Sequence, residues 1–133
     1  MVKVVLDTNV LVSSLLTSGP PAAIVDLIAD GKICLIYNDL VLQEYWDVLS
    51  RKKFGFKYLQ ITRLIGDITR TGIAVDRGKP SKIAMTDEDD RIFYDLAVTS
   101  TACLITGNAK HFPSEPFIFS PAKFLELINP VAV

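Results

Sequence analysis

Apolar positions along this chain fall into two alternating rhythms. Residues 2–6, 33–37, 73–75, 103–106 and 117–119 are short runs dominated by apolar side chains, many of them β-branched. Runs of that length predict buried strands. Between them the apolar spacing lengthens to that of a helix. Gly19, Pro20 and Pro21 punctuate the chain ahead of an amphipathic helix over 22–29, closed by Asp30 and Gly31. Asn38 or Asp39 caps a helix reaching about Lys52. A loop follows over 53–56. Residues 57–71 predict a further helix, with Gly66 as a break point and Gly72 as its stop. A polar connection over 77–85 leads to Asp87, which opens a helix to about Ser100. Residues 108–112 read as a turn, and Pro121 starts a last helix through Ile128. Residues 8–16 are apolar with small polar residues and fit either a loop or a short helix.

Strands alternating with helices predict an α/β protein: a three-layer α/β/α sandwich around a central, mainly parallel sheet. The 133 residues predict a single domain over 1–133, long enough to bury about two-thirds of the surface its unfolded chain exposes. No repeat, low-complexity segment or linker interrupts it.

Composition narrows the function classes. Half of the residues are hydrophobic, so a core is expected and disorder is not. No apolar run approaches the roughly 20 residues of a membrane helix, and residues 2–6 are too short for a signal-peptide core. A cytoplasmic protein without a membrane partner is expected. Cys34 and Cys103 lie in separate strand-like runs and read as free, buried thiols. Two isolated cysteines and one histidine cannot supply a zinc site of the usual spacing.

The net charge of −1 hides a segregation. Residues 1–50 carry two basic and six acidic side chains, residues 51–82 nine and two, and residues 83–133 three and seven. A basic middle between acidic ends fits a polyanion track beside a metal site, and equally a pair of solvated helices.

Candidate chemistry lies in acids placed where folding alone would not put them. Asp7 follows the first strand directly, where ligands of open α/β sheets bind. It could cap the next helix, but Thr8 and Asn9 add two polar groups at the same strand end. Glu44 shares a helical stripe with Val41 and Val48, flanked by Tyr45 and Leu49, and a glutamate there is costly unless paired or coordinated. A place at the stripe's edge is the alternative. Asp47 lies off this face and reads as solvated. Asp87, Glu88, Asp89 and Asp90 suit the first turn of a helix, yet repel one another. Asp87 reads as the cap, while Asp90 shares a stripe with Phe93, Tyr94 and Ala97. Asp95 stands four residues after Arg91, the spacing of an exposed ion pair. Asn108 ends the run Ile105, Thr106, Gly107, as either a weak oxygen ligand or a turn residue. His111 reads as a surface residue near these acids. Such acids converge sensibly on a hard cation, Mg²⁺ or Mn²⁺. They point to metal-dependent phosphodiester chemistry, with Asp7, Glu44 and Asp90 as catalytic ligands, Asn108 assisting, and Thr8, Asn9 and Thr106 orienting them from behind. Arg51, Lys52, Lys53 and Lys57, with Arg63 and Arg70 further along, would steer and hold phosphates. Phe54, Phe56 and Tyr58 interleave with them, as base-stacking platforms or as a contact with a partner chain.

Taken together, these motifs resemble the PIN-domain family, in particular the VapC-like ribonuclease toxins of toxin–antitoxin modules. Asp7 with the six residues after it is similar to the family's opening acidic motif. Glu44 in its apolar setting matches the second acid, and Asp90, followed by Ala97 and by Leu104 to Thr106, matches the third. The resemblance covers roughly 2–119 and implies a Rossmann-like sandwich, a site of three or four acids holding Mg²⁺ or Mn²⁺, and cleavage of single-stranded RNA. It also implies a homodimer and a cognate antitoxin. The position after Ile105, Thr106 and Gly107 usually carries aspartate in that family and is Asn108 here. A catalytically silent module that binds RNA or a partner is the competing reading. A phosphotransfer enzyme using Asp7 as nucleophile would need a second aspartate at Asn9, and a P-loop is excluded by the lack of its glycine–lysine motif.

Overall fold

The computed structural model describes residues 1–128; the last five positions of the expected 1–133 domain lie outside the described residues. Five strands, β1 (Lys3–Leu6), β2 (Cys34–Tyr37), β3 (Ile73–Ala74), β4 (Cys103–Ile105) and β5 (Ile118–Phe119), form one sheet in the order β3-β2-β1-β4-β5. Every neighbouring pair is parallel. Six α-helices connect and flank them: α1 (Thr8–Leu16), α2 (Pro20–Ala29), α3 (Asp39–Leu49), α4 (Tyr58–Thr69), α5 (Arg91–Ser100) and α6 (Pro121–Ile128).

The chain lays β1, β2 and β3 outward in one direction, then returns past β1 to lay β4 and β5 in the other. Right-handed crossovers therefore put α5 on the face opposite α2 and α4. In agreement, α5 packs on β1, β2 and β4, while α2 packs on α1, α4 and α6. The central strands explain their own sequence: Val4, Val5, Leu6, Leu35, Ile36, Leu104 and Ile105 have almost no exposed surface, as a sheet covered on both faces requires.

Several boundaries depart from expectation. Residues 8–16 are a helix. The helix over α3 ends at Leu49, because Arg51 and Phe54 turn the chain through backbone bonds to Val48 and back to Arg51. Its start is capped by Asn38, whose side chain accepts from the Val41 N–H at 2.9 Å. Gly66 does not break α4, since Ile61, Leu64, Ile65 and Ile68 bury one continuous stripe. A 3₁₀ turn over Glu88–Asp90 precedes α5. The expected pair between Arg91 and Asp95 does not form. Arg91 is drawn instead to Glu88 at 2.8 Å and to the carbonyls of Ser81 and Ile83, and Asp95 accepts from the Ser81 N–H at 3.1 Å. These bonds fasten the polar connection after β3 onto α5. Cys34 and Cys103 are both free thiols. No single described helix is long and apolar enough to cross a membrane; α1 and α2 reach that length and apolarity only together, across a 104° bend.

Gly72 closes α4 against the sheet. A Cβ there would stand 2.8 Å from the Leu35 carbonyl oxygen and 3.0 Å from the Tyr37 ring. Gly72→Ala is expected to cost about 1–3 kcal/mol through this overpacking, read as a lower urea midpoint at unchanged slope.

Candidate metal centre

The sheet order reverses at β1, so the crevice beyond the carboxyl ends of β1 and β4 is where an open α/β sheet receives ligands. Asp7 stands there. Its N–H donates to the Ile105 carbonyl at 3.0 Å, continuing the β1–β4 ladder by one bond. Its side chain is buried. Thr106, just past β4, donates its hydroxyl to Asp7 Oδ2 at 2.7 Å. The same hydroxyl accepts from the Asn108 N–H at 3.0 Å. A short relay thus runs from the Asn108 backbone through Thr106 to Asp7. The N–H groups of Asn9 and Thr8 also favour the charged carboxylate, without completing a capping bond.

Asp90 ends the 3₁₀ turn ahead of α5, half-buried, with Phe93, Tyr94 and Ala97 buried behind it. His111 Nδ1 lies 3.9 Å from its Oδ2. Glu44 is half-buried at the edge of the α3 stripe formed by Val41, Tyr45, Val48 and Leu49, and Asp47 is exposed and accepts from the Gln43 amide at 2.8 Å.

All three acids are held above the ordinary carboxylate range. Burial raises Asp7 most, against the Thr106 bond that lowers it. Burial also leads for Glu44, with the charge of Asp89 next, and Arg51 opposing. Asp90 is pushed up to about 6 by burial, then by the charges of Asp7 and Asp87, with His111 opposing. Neighbouring acids add to burial at Glu44 and Asp90, the mark of carboxylates without enough positive charge, whereas burial alone raises Asp7. Among the described residues, none of the three is paired with a lysine or arginine.

The donor set fits a hard divalent cation in kind, because every candidate ligand is an oxygen and the cation would relieve the mutual repulsion. The Thr8 hydroxyl is buried here without a partner, a further oxygen free to bond. Among the described residues, however, no three acid, imidazole or thiol groups stand close enough to share one ion. The acids feel each other's charge without meeting in one coordination sphere, and Asp90 is turned toward His111.

Asn108 is half-buried and engaged through its N–H, and Asn9 is exposed. The basic side chains Arg51, Lys52, Lys53, Lys57 and Arg63 are exposed. Arg51 is the one whose charge reaches Glu44, and Lys53 lies 5.1 Å over the Phe54 ring. Arg70 is tied down by Asp67 and the Ala29 carbonyl. Phe54 and Phe56 are half-buried and stack on each other with centroids 5.5 Å apart, which occupies one face of each ring. Tyr58 remains 72% exposed, tilted against Trp46 at 6.0 Å.

A family model described as a PIN domain matches residues 3–110, the span that carries all of these acids. The chain belongs to the PIN-domain family. PIN domains are generally nucleases that use divalent metals, with RNA binding and antitoxin partners frequent among them. An uncharacterized protein of Methanocaldococcus jannaschii, MJ1680, is 33% identical over 111 residues, covering 80% of this chain and 71% of that protein. No solved structure matches the chain at the same stringency.

Two participants in this PIN-domain crevice escaped the sequence reading. Asp89 is the acid whose charge weighs most on Glu44, and nothing in a run of four acids distinguishes it. Tyr45 is fully buried with its hydroxyl donating to the Leu6 carbonyl at 2.7 Å. A tyrosine inside an apolar stripe signals that its hydroxyl needs a partner, but not which one.

Proposed function

We propose that this PIN domain is a metal-dependent endoribonuclease acting on single-stranded RNA, with Asp7, Glu44 and Asp90 as ligands of Mg²⁺ or Mn²⁺ and Asn108 assisting. The observation that carries this reading is the set of three carboxylates raised above their ordinary values, with the charge of Asp7 bearing on both Glu44 and Asp90 and, among the described residues, no lysine or arginine paired with any of them. A bound cation there supplies positive charge for the phosphate and acidifies water. The residues do the rest. Thr106 holds Asp7 in one orientation and is itself fixed by the Asn108 N–H. Burial around Asp7 excludes bulk water, which strengthens the local field. His111 Nδ1 lies 3.9 Å from Asp90 Oδ2, a neighbour of the site beyond hydrogen-bond distance. Arg51, Lys52, Lys53 and Lys57 hold the RNA backbone, and exposed Tyr58 offers a face for a base. The reading extends to a cytoplasmic toxin that forms a homodimer and is silenced by a cognate antitoxin.

The direct test incubates purified, partner-free protein with single-stranded RNA in Mg²⁺, in Mn²⁺ and in chelator. Cleavage that chelator abolishes supports the reading. Cleavage that persists in chelator overturns the metal's role. Asn108 supports a second reading, a silent RNA-binding module, since an amide binds a cation more weakly than a carboxylate. RNA binding by a folded protein with no turnover in either metal would favour it.

The basic track makes a separate prediction. Replacing Lys52, Lys53 and Lys57 together by alanine is expected to weaken RNA binding and to flatten its salt dependence, by about 0.7 in log–log slope for each phosphate no longer neutralised. A slope equal to that of the wild type would move the RNA track elsewhere.

A further inference from the structure

Tyr45 adjoins all three acid-bearing elements at once. It follows Glu44 directly on α3. Its hydroxyl donates to the carbonyl of Leu6 at 2.7 Å, the last residue of β1 and the one before Asp7. Its ring stacks on Phe93 with centroids 6.3 Å apart and planes 23° from parallel, and Phe93 stands three residues after Asp90. The side chain has no exposed surface.

The bond to Leu6 matters because of what shares its peptide plane. The Leu6 carbonyl and the Asp7 N–H belong to one rigid planar unit. That unit is held on one edge by Tyr45 and on the other by the Ile105 carbonyl, which accepts the Asp7 N–H at 3.0 Å. Any tilt of this peptide swings the Asp7 carboxylate. Because the holding atom belongs to α3, the tilt is geared to the helix that carries Glu44. Through the Phe93 stack it is geared also to α5 and Asp90.

We propose that Tyr45 is a positioning residue that ties together the three elements bearing Asp7, Glu44 and Asp90, so that these acids, which stand apart without metal, can close on one divalent cation. The inference rests on the nuclease reading above, and it assigns Tyr45 no contact with cation or RNA. Tyr45→Phe keeps the ring and its stack and deletes only the hydroxyl, leaving the buried Leu6 carbonyl without that donor.

The test measures Mn²⁺ binding directly, by the electron paramagnetic resonance signal of free Mn²⁺, on metal-stripped protein without RNA. Tyr94→Phe is the control. It deletes the same atom from a tyrosine whose hydroxyl bonds Glu115 at 3.0 Å. Tyr45→Phe is expected to weaken Mn²⁺ binding by about tenfold or more, the scale seen when a residue that orients metal ligands is removed. Tyr94→Phe is expected to leave it unchanged. In cleavage assays Tyr45→Phe should raise the Mn²⁺ needed for half-maximal rate while KM for RNA at saturating Mn²⁺ stays put. Wild-type affinity in Tyr45→Phe overturns the proposal and leaves the nuclease reading standing. Absence of Mn²⁺ binding in the wild type overturns both. Where Tyr45→Phe does not fold, Phe93→Leu decides: it keeps the hydroxyl but removes the stack, and unchanged Mn²⁺ affinity in it overturns the proposal equally.

Discussion

Asp7→Asn is expected to abolish metal-dependent RNA cleavage and, at the same time, to raise the melting temperature of the metal-free protein. The two effects have one cause. Asp7 is a buried carboxylate whose ionised form is disfavoured by its surroundings, so at neutral pH its charge costs folding free energy. Asparagine keeps the size of the side chain and an oxygen that accepts from Thr106 Oγ1. It loses only the charge. With no metal bound, losing that charge is a gain in stability, and the charged form persists because function needs it. With metal present the balance reverses. A cation in such a site contributes several kcal/mol to transition-state stabilisation, and each ~1.4 kcal/mol is tenfold in rate. Loss of a principal ligand should therefore lower cleavage on the order of a thousandfold. Thermal melts in chelator at pH 7, alongside single-turnover cleavage in Mn²⁺, measure both. A lower melting temperature would show that Asp7 is a structural cap after all, and undiminished cleavage would remove it from the metal site.

Much of this arrangement was legible in the residues. The three central strands announce themselves as short apolar runs because they are buried on both faces, whereas the edge strands β3 and β5 keep exposed or half-buried residues, and the alternation with helices dictates a parallel sheet. Given that sheet, the position of Asp7 immediately after β1 is enough to put it at the switch point. The family resemblance rests on the same residues, and the match over 3–110 bears out its PIN-domain part. What the pattern could not carry was contact. Arg91 and Asp95 have ideal helical spacing, yet the connection after β3 offers Arg91 two backbone carbonyls and offers Asp95 the Ser81 N–H, and these tertiary bonds win over a weak local pair. Gly66 is a poor helix former, yet α4 runs through it because four buried isoleucine and leucine side chains outweigh a local preference of about 1 kcal/mol. Glu44 could be read as buried or marginal, and the structure puts it at the stripe's edge. The linkage through Tyr45 joins residues 39 apart in sequence, a distance at which periodicity is silent.

Between pH 4 and 6 the metal-free protein is expected to lose stability as pH rises, and Asp90→Asn is expected to remove much of that loss. In the folded protein Asp90 sits at about 6, up from the ordinary 3.8. Near pH 5 the folded state therefore keeps a proton that the unfolded chain has released. Stability falls with pH wherever the folded state binds more protons. The contribution of Asp90 is present in full below about pH 4 and is gone once pH passes about 6. Glu44 and Asp7 are raised too, and the same sign applies. The three interact, so they titrate as a group. Asp39 and Glu88 are lowered by Arg77 and Arg91 from ordinary values of 3.8 and 4.5, so their opposite effect is centred below this window and offsets only its lower edge. The full shift of Asp90 would correspond to about 3 kcal/mol, and solvent screening at its 17% exposed side chain reduces this to roughly 1–2 kcal/mol. Urea unfolding at closely spaced pH values in chelator reads it. In excess Mn²⁺ the slope should reverse, because the cation competes with protons for the same oxygens and stabilises only the folded state. Equal slopes for wild type and Asp90→Asn in chelator would mean that Asp90 titrates as an ordinary surface acid. A slope that Mn²⁺ leaves untouched would mean that the three carboxylates, though crowded, do not gather round a metal.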